Sequence, residues 1–220
     1  MSTDKTKYIP ALGYDSLSNF YDRTVRWTMP EEKFRNRLVQ QVNLQPGEKL
    51  LEFGFGTASQ TILLKQQTPE AEIIGVDVDP KIRELAWEKV QKAGLEIQLD
   101  LYDGQNLPYP DAMFDKVVSS LVFHQLDKEQ KAGAFAEIHR VLKLGGELHI
   151  GDWGKARHVG MRIAFLLVQL LDGFKTTNDN VKGLLPEMIA NAGFENVKET
   201  GYINTAIGTY SFYKAERQKQ

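Results

Sequence analysis

The residues best placed to do chemistry surround one short glycine loop, Gly54-Phe55-Gly56-Thr57-Ala58, which follows Leu51-Glu52-Phe53. Glycines between a first strand and its helix let the backbone come close to a ligand. Glu52 stands two residues before Gly54. A carboxylate there repels a pyrophosphate and favours a cation. The third glycine of a dinucleotide loop, G-x-G-x-x-G, falls at Ser59, which is not glycine. Asp77 ends the next apolar run, Ile73 to Asp77. An acid at that place in a nucleotide-type βαβ unit meets ribose hydroxyls, and one carboxylate can accept from two of them. Asp79-Pro80, just beyond, reads as the cap and first residue of a helix.

S-adenosylmethionine is an adenosyl ligand that carries an ammonium and a sulfonium and no phosphate, so acids around a glycine loop suit it. Methyl transfer from it is an in-line displacement with a good leaving group. The protein's task there is mainly to position the acceptor and exclude water. A base helps where the acceptor is a phenol, a hydroxyl or an acidic carbon. His124 is the best base candidate, because it follows the fourth strand at the carboxyl edge where such sheets bind ligands. A histidine that packs and bonds locally at a helix start fits the same position. Asp152 and Trp153 end the fifth strand at that edge, and Trp153 either walls an acceptor pocket or caps the core. His158 lies near the same mouth. Tyr14, Phe20 and Tyr21 are candidates for an N-terminal lid, and Tyr14, Tyr21, Trp153 and His158 are the candidate acceptor contacts. His139 and His149 read as structural, and no metal-ligand set is expected.

Alternating strands and helices must position these groups. A helix from about Pro30 has Phe34, Leu38, Val39 and Val42 on one face. Strands are expected at Lys49 to Phe53, Ile73 to Asp77, Ile97 to Leu101, Phe114 to Ser119 and Glu147 to Gly151. Helices follow Ser59, Pro80 (stripe Ile82, Leu85, Ala86, Val90) and Lys128 (Phe135, Ile138, Leu142). A helical insertion covers about 157 to 173, a helix runs from about 181 to Gly193, and strands near 194–202 and 206–215 close the chain. This pattern predicts a doubly wound α/β fold: a mostly parallel seven-stranded sheet with an antiparallel edge, in a single domain of residues 1–220. An N-terminal lid or helix occupies about 1–45 and the insertion about 155–175.

Composition narrows the class. The chain has 220 residues, a formal charge of −2 and no cysteine, which excludes disulfides and thiolate chemistry and suits a cytoplasmic setting. No basic surplus supports nucleic-acid binding. No segment has the length of a signal peptide core or a membrane span. Ile163 to Val168 is apolar on every side of a helix, beside Lys155, Arg157 and Arg162. That predicts a mobile lid over an apolar acceptor. A membrane-surface helix in transient contact with lipid, a dimer interface or a helix packed fully on the sheet are the competing readings, and the oligomeric state is open.

Taken together, the chain resembles the class I S-adenosylmethionine-dependent methyltransferases, in the branch of the ubiquinone and menaquinone biosynthesis C-methyltransferases and many small-molecule methyltransferases. Leu51 to Ala58 is similar to the E/D-x-G-x-G-x-G loop, with Ala58 replacing the last glycine. Gly75-Val76-Asp77-Val78-Asp79 resembles the ribose-binding strand end. Tyr102-Asp103-Gly104-Gln105-Asn106-Leu107-Pro108-Tyr109 with Phe114-Asp115 resembles G-D-A-x-x-L-P-F…F-D, with Tyr102 replacing glycine. Arg140 to Gly146 resembles R-V-L-K-P-G-G, with Leu144 replacing proline. The resemblance implies cofactor contacts from Glu52, Gly54, Phe55, Gly56, Asp77, Val78, Asp103, Gly104 and Ser120. Asp103 would accept from the adenine amine and Gly104 would lie against the ring. It implies S-adenosylmethionine as cofactor and a small, apolar or aromatic acceptor. The rivals are an NAD(P)-dependent oxidoreductase, against which Glu52, Ser59 and the lack of a Tyr-x-x-x-Lys dyad speak, and a non-catalytic S-adenosylmethionine-binding protein.

Overall fold

A computed structural model describes residues 31–218. The expected lid residues Tyr14, Phe20 and Tyr21 lie outside them. In chain order the elements are α1 (Glu31–Val42), β1 (Lys49–Phe53), α2 (Ser59–Gln67), β2 (Glu72–Asp77), α3 (Pro80–Lys92), β3 (Gln98–Leu101) and β4 (Phe114–Ser120). A 3-10 turn (Phe123–Gln125) leads to α4 (Lys128–Val141), β5 (Leu142–Trp153), α5 (Val159–Asp172), α6 (Phe174–Lys182), α7 (Leu185–Asn191), β6 (Phe194–Asn204) and β7 (Thr209–Arg217).

One seven-stranded sheet has the order β3-β2-β1-β4-β5-β7-β6. Strands β3 to β5 pair in parallel, and β7 inserts antiparallel between β5 and β6. The order reverses between β1 and β4, so the carboxyl ends of those strands open a crevice where ligands bind in such sheets. The strands are apolar on both faces because helices cover both. Leu51, Ile74 and Val117 enter one cluster with Phe135 and Ile138 of α4. Their neighbours Leu50, Ile73 and Val118 enter the other, with Phe34, Leu38, Val39 and Val42 of α1.

Three expectations change. Leu85 of α3 is half exposed, and only Ala86 and Val90 of the expected stripe are buried. Strand β5 starts at Leu142 rather than Glu147: Phe114 pairs with Leu142 and Lys116 with Glu147, so β5 carries a bulge that includes Gly145 at φ 75°. A Cβ on Gly146 would stand 2.8 Å from the Lys143 carbonyl. The expected helix 181–192 is α7 alone, Leu185–Asn191, and a separate, unexpected helix α6 precedes it across Gly183 at φ 74°. Helix α6 escaped the periodicity because its buried residues are mostly polar: Thr177, Asp179 and Asn180 beside Val181. Polar bonds hold it. Lys131, fully buried on α4, donates to Thr176 O at 2.6 Å and Asp179 Oδ2 at 3.4 Å. Asn180 Nδ2 donates to Trp153 O at 3.0 Å.

Candidate active site

The glycine loop takes its shape from main-chain bonds and left-handed residues. Gly54 N donates to Val76 O at 2.8 Å and Ala58 N to Phe55 O at 2.8 Å. Gly54 has φ 76°, and a Cβ there would meet Val122 at 2.3 Å, so this position needs glycine twice over. Ala58, where the related motif has glycine, also adopts left-handed φ 57°. The Phe55 side chain is buried against Gly75, Ile62 and Leu99, so only its backbone can face a ligand.

Three acids stand at successive places along the sheet edge. Glu52, the penultimate residue of β1, is nearly fully buried, and its carboxylate accepts from the Thr61 hydroxyl. Burial pushes its pKa up to about 7, with Thr61, Arg35 and Asp77 as its further influences. Asp77 ends β2: Oδ2 accepts from Gly56 N at 3.0 Å, and Oδ1 from Val78 N at 2.7 Å and Asp79 N at 3.2 Å. Burial raises its pKa against those three bonds. Asp103, exposed after β3, accepts from Gln105 N and Asn106 N, both at 2.8 Å. These bonds, Asn106 first, hold its carboxyl below the usual range. Gly104, at φ 82°, faces Val78 with room to spare: a Cβ would stand 3.7 Å from it. Asp79 caps α3 as expected, accepting from Lys81 N and Ile82 N.

Arg140 fixes the loop that carries Asp103. It donates to Tyr109 O at 2.8 Å and Leu107 O at 3.1 Å while it pairs with Glu137 and Asp111. Glu137 in turn accepts from Leu107 N at 2.8 Å. The two motifs on either side of β4 are therefore one bonded unit.

Across the crevice, His124 Nδ1 lies 2.8 Å from Asp152 Oδ1, both side chains buried. Asp152 also accepts from Trp153 N at 2.7 Å and from His124 N at 3.3 Å. A carboxylate only accepts, so it fixes the proton on Nδ1 and makes Nε2 the basic nitrogen. Sequence reasoning noted both residues at the edge and missed that they pair. They are 28 residues apart, and only the parallel β4–β5 register joins them. It also missed Tyr210, which bonds Ser120 at 3.1 Å, stacks on Phe34 at 4.5 Å and lies edge-on to Trp153. Gly151 makes room for it, since a Cβ there would meet the Tyr210 hydroxyl at 2.1 Å. Trp153 is buried between Tyr210 and Phe165 of α5, and thus belongs to the core. His158 is exposed before α5. His139 lies edge-on to Phe194, and His149 is buried against Glu147 and Gln41, away from the crevice. Among the described residues no group of three or more His, Asp or Glu side chains could hold a metal.

The donor set fits S-adenosylmethionine. Acids rather than bases flank the loop, and Gln60 Oε1 beside it is buried with no hydrogen-bond partner among the described residues. An acceptor-rich loop suits an ammonium and ribose hydroxyls better than a phosphate.

Comparisons with known proteins agree. The methyltransferase domain family matches residues 51–150. A demethylmenaquinone methyltransferase from Symbiobacterium thermophilum is 30% identical over 242 aligned positions, covering 99% of this chain and 95% of its own length. A second, from Thermus thermophilus, is 32% identical over 137 residues, 61% of this chain and 58% of that protein. Several further curated relatives match over less than half of their length. The magnesium protoporphyrin IX methyltransferase of Synechocystis, solved with bound SAH, superposes with a TM-score of 0.71 at 17% identity, over 94% of this chain and 91% of that one, which shows a shared fold. The loop, its acids and a full-length relative together make the chain a member of the class I S-adenosylmethionine-dependent methyltransferases, with S-adenosylmethionine as its cofactor.

Proposed function

We propose that this protein methylates a small apolar or aromatic acceptor of the quinone kind that its relatives are named for. The observation that carries the reading is the pairing of His124 with Asp152 across the crevice from the acids of β1 and β2. When bound, S-adenosylmethionine supplies an activated methyl group on its sulfonium. Glu52 and the loop backbone hold its amino-acid end, Asp77 its ribose hydroxyls, and Asp103 with Val78 and Gly104 its adenine. His124 takes the proton of an acidic acceptor at Nε2, and Asp152 orients the ring and stabilises the charged imidazole. Ser120, which ends β4 and bonds Tyr210, is a further cofactor contact in this reading. We read residues 1–220 as one domain, working in the cytoplasm. An acceptor of this chemistry partitions into membranes, so transient contact with a lipid surface belongs to the same reading.

Incubation of the full chain with labelled S-adenosylmethionine and a panel of quinols, phenols and small acids tests this. Label should enter the apolar quinols and phenols. Transfer confined to small polar acids would overturn the acceptor assignment.

A further inference from the structure

Among its described side chains, helix α5 turns several apolar ones outward and a glutamine inward. Its buried side includes Phe165, packed on Trp153, and Gln169, which accepts from Arg162 at 2.6 Å and donates to Thr177 at 3.1 Å. Its outer side exposes Val159 (79%), Ile163 (62%), Leu166 and Leu170 (67%), and the stripe continues to Phe174 (51%) at the start of α6. Val159, Ile163, Leu166 and Leu170 recur at helical spacing over about 17 Å, and Phe174 lies just past the break at Gly173. A contiguous apolar stripe of this length marks an interaction surface rather than scattered surface residues.

Charge says what it meets. Residues 155–182 contain five Lys and Arg against two Asp, in a chain of net charge −2. One of those acids, Asp179, is turned inward onto Lys131. Lys155 and His158 are exposed at one end of the stripe, and Lys182 stands there too, because α6 returns to lay Gly183 against the Lys155 side chain; Lys175, at the far end, pairs with Asp127 at 3.0 Å. An apolar face with exposed cations gathered at one end suits a helix lying in the headgroup region of an anionic bilayer.

We propose that the outer face of α5, continued by Phe174, docks the protein on an anionic lipid surface. This rests on the reading of the acceptor as apolar. The inner face of the same helix packs on Trp153, next to Asp152 and His124. Docking by α5 therefore sets the base against the membrane, where such an acceptor dissolves.

The test is flotation of the full chain with phosphatidylcholine vesicles, with and without 30 mol% phosphatidylglycerol, at low and high salt. The expected result is binding that needs the anionic lipid and falls with salt. The double variant Ile163→Gln/Leu170→Gln should lower the partition coefficient at least tenfold. Both side chains are exposed, so its melting temperature and its calorimetric S-adenosylmethionine affinity should match the parent. Lys155→Glu/Lys182→Glu should remove most of the salt-dependent part. Absence of vesicle binding by the parent, or equal binding by the double variant, overturns the inference. So does a concentration-dependent dimer in sedimentation that the double variant abolishes, since the stripe would then meet a second copy. Turnover of a soluble short-chain quinol without vesicle binding sinks this inference alone. Vesicle binding without turnover of any apolar acceptor sinks the functional reading instead.

Discussion

Glu52 is held at a cost to stability, and that cost has a sign. Its folded pKa of about 7 lies above the unfolded value of 4.5. The stability from this group is therefore full below about pH 4.5, falls as pH rises toward 7 and stays lost above it. Glu52→Gln should raise the unfolding free energy at pH 8 by on the order of 2–3 kcal/mol, with little gain at pH 4.5. On the proposed binding mode it should also weaken S-adenosylmethionine binding, because the amide would lack the charge offered to the ammonium. Denaturant melts at the two pH values, with calorimetry beside them, check both parts. An equal gain at both would refute the buried ionisation. His124 and Asp152 make the kinetic counterpart. His124→Asn should lower kcat by about 100-fold and flatten the pH–rate profile. Asp152→Asn should lower kcat with KM little changed, since it acts through the imidazole. An unaltered profile in His124→Asn would remove the base. Glu52 and Asp77 stand out in the sequence because each lies at the end of an apolar run, whereas Asp103 stands out only through the resemblance of its segment. The His–Asp pair does not, because nothing in residue spacing brings 124 to 152.

At the scale of elements, two glycines and one lysine decide how the acceptor side is built. Gly151 admits Tyr210, and Gly208 admits Phe165, whose ring would stand 2.7 Å from a Cβ at that position. Gly208→Ala should displace α5 from Trp153. It should cost about 1–3 kcal/mol, the usual scale of an overpacked core, and lower turnover while S-adenosylmethionine affinity holds. Thermal melts and steady-state kinetics measure the two effects, and unchanged turnover would separate α5 from the acceptor site. Lys131→Met should cost more, about 3–5 kcal/mol, because Asp179 is left buried without its cation. Helix α6 would loosen first, seen as faster amide exchange over 174–182. Periodicity found every element that buries an apolar stripe. It missed α6, which is fastened by Lys131, Asn180 and Gln169, because a polar buried face reads as a loop. It also placed Lys131 on no face, although Lys131 shares the buried face of Phe135 and Ile138.

Across the whole molecule, the two ends of the sheet have opposite roles. The carboxyl end carries Glu52, Asp77 and Asp103, whereas the other end is tied by a partly buried charge network. There Lys116 donates to the carbonyls of Val42 and Asn43 at the end of α1 and pairs with Glu48, and Glu147 bonds His149 and Lys214. The His149 and Lys214 bonds hold Glu147 down at about 2, and burial lowers His149. His149 thus adds stability above its unfolded pKa of 6.5 that is lost as pH falls. The Glu147 share, full above 4.5, goes as pH drops toward 2. Urea midpoints should decline in two stages, and His149→Phe should remove the upper one and shrink the lower, leaving the part that Lys214 supplies. The central claim is the cofactor site, and titration calorimetry reaches it most directly. The wild-type chain should bind S-adenosylmethionine and not NADH, and Asp77→Ala should weaken that binding by about 1.5–3 kcal/mol, the loss of hydrogen bonds to a charged group. Tight NADH binding without an S-adenosylmethionine signal, or full affinity in Asp77→Ala, would contradict it.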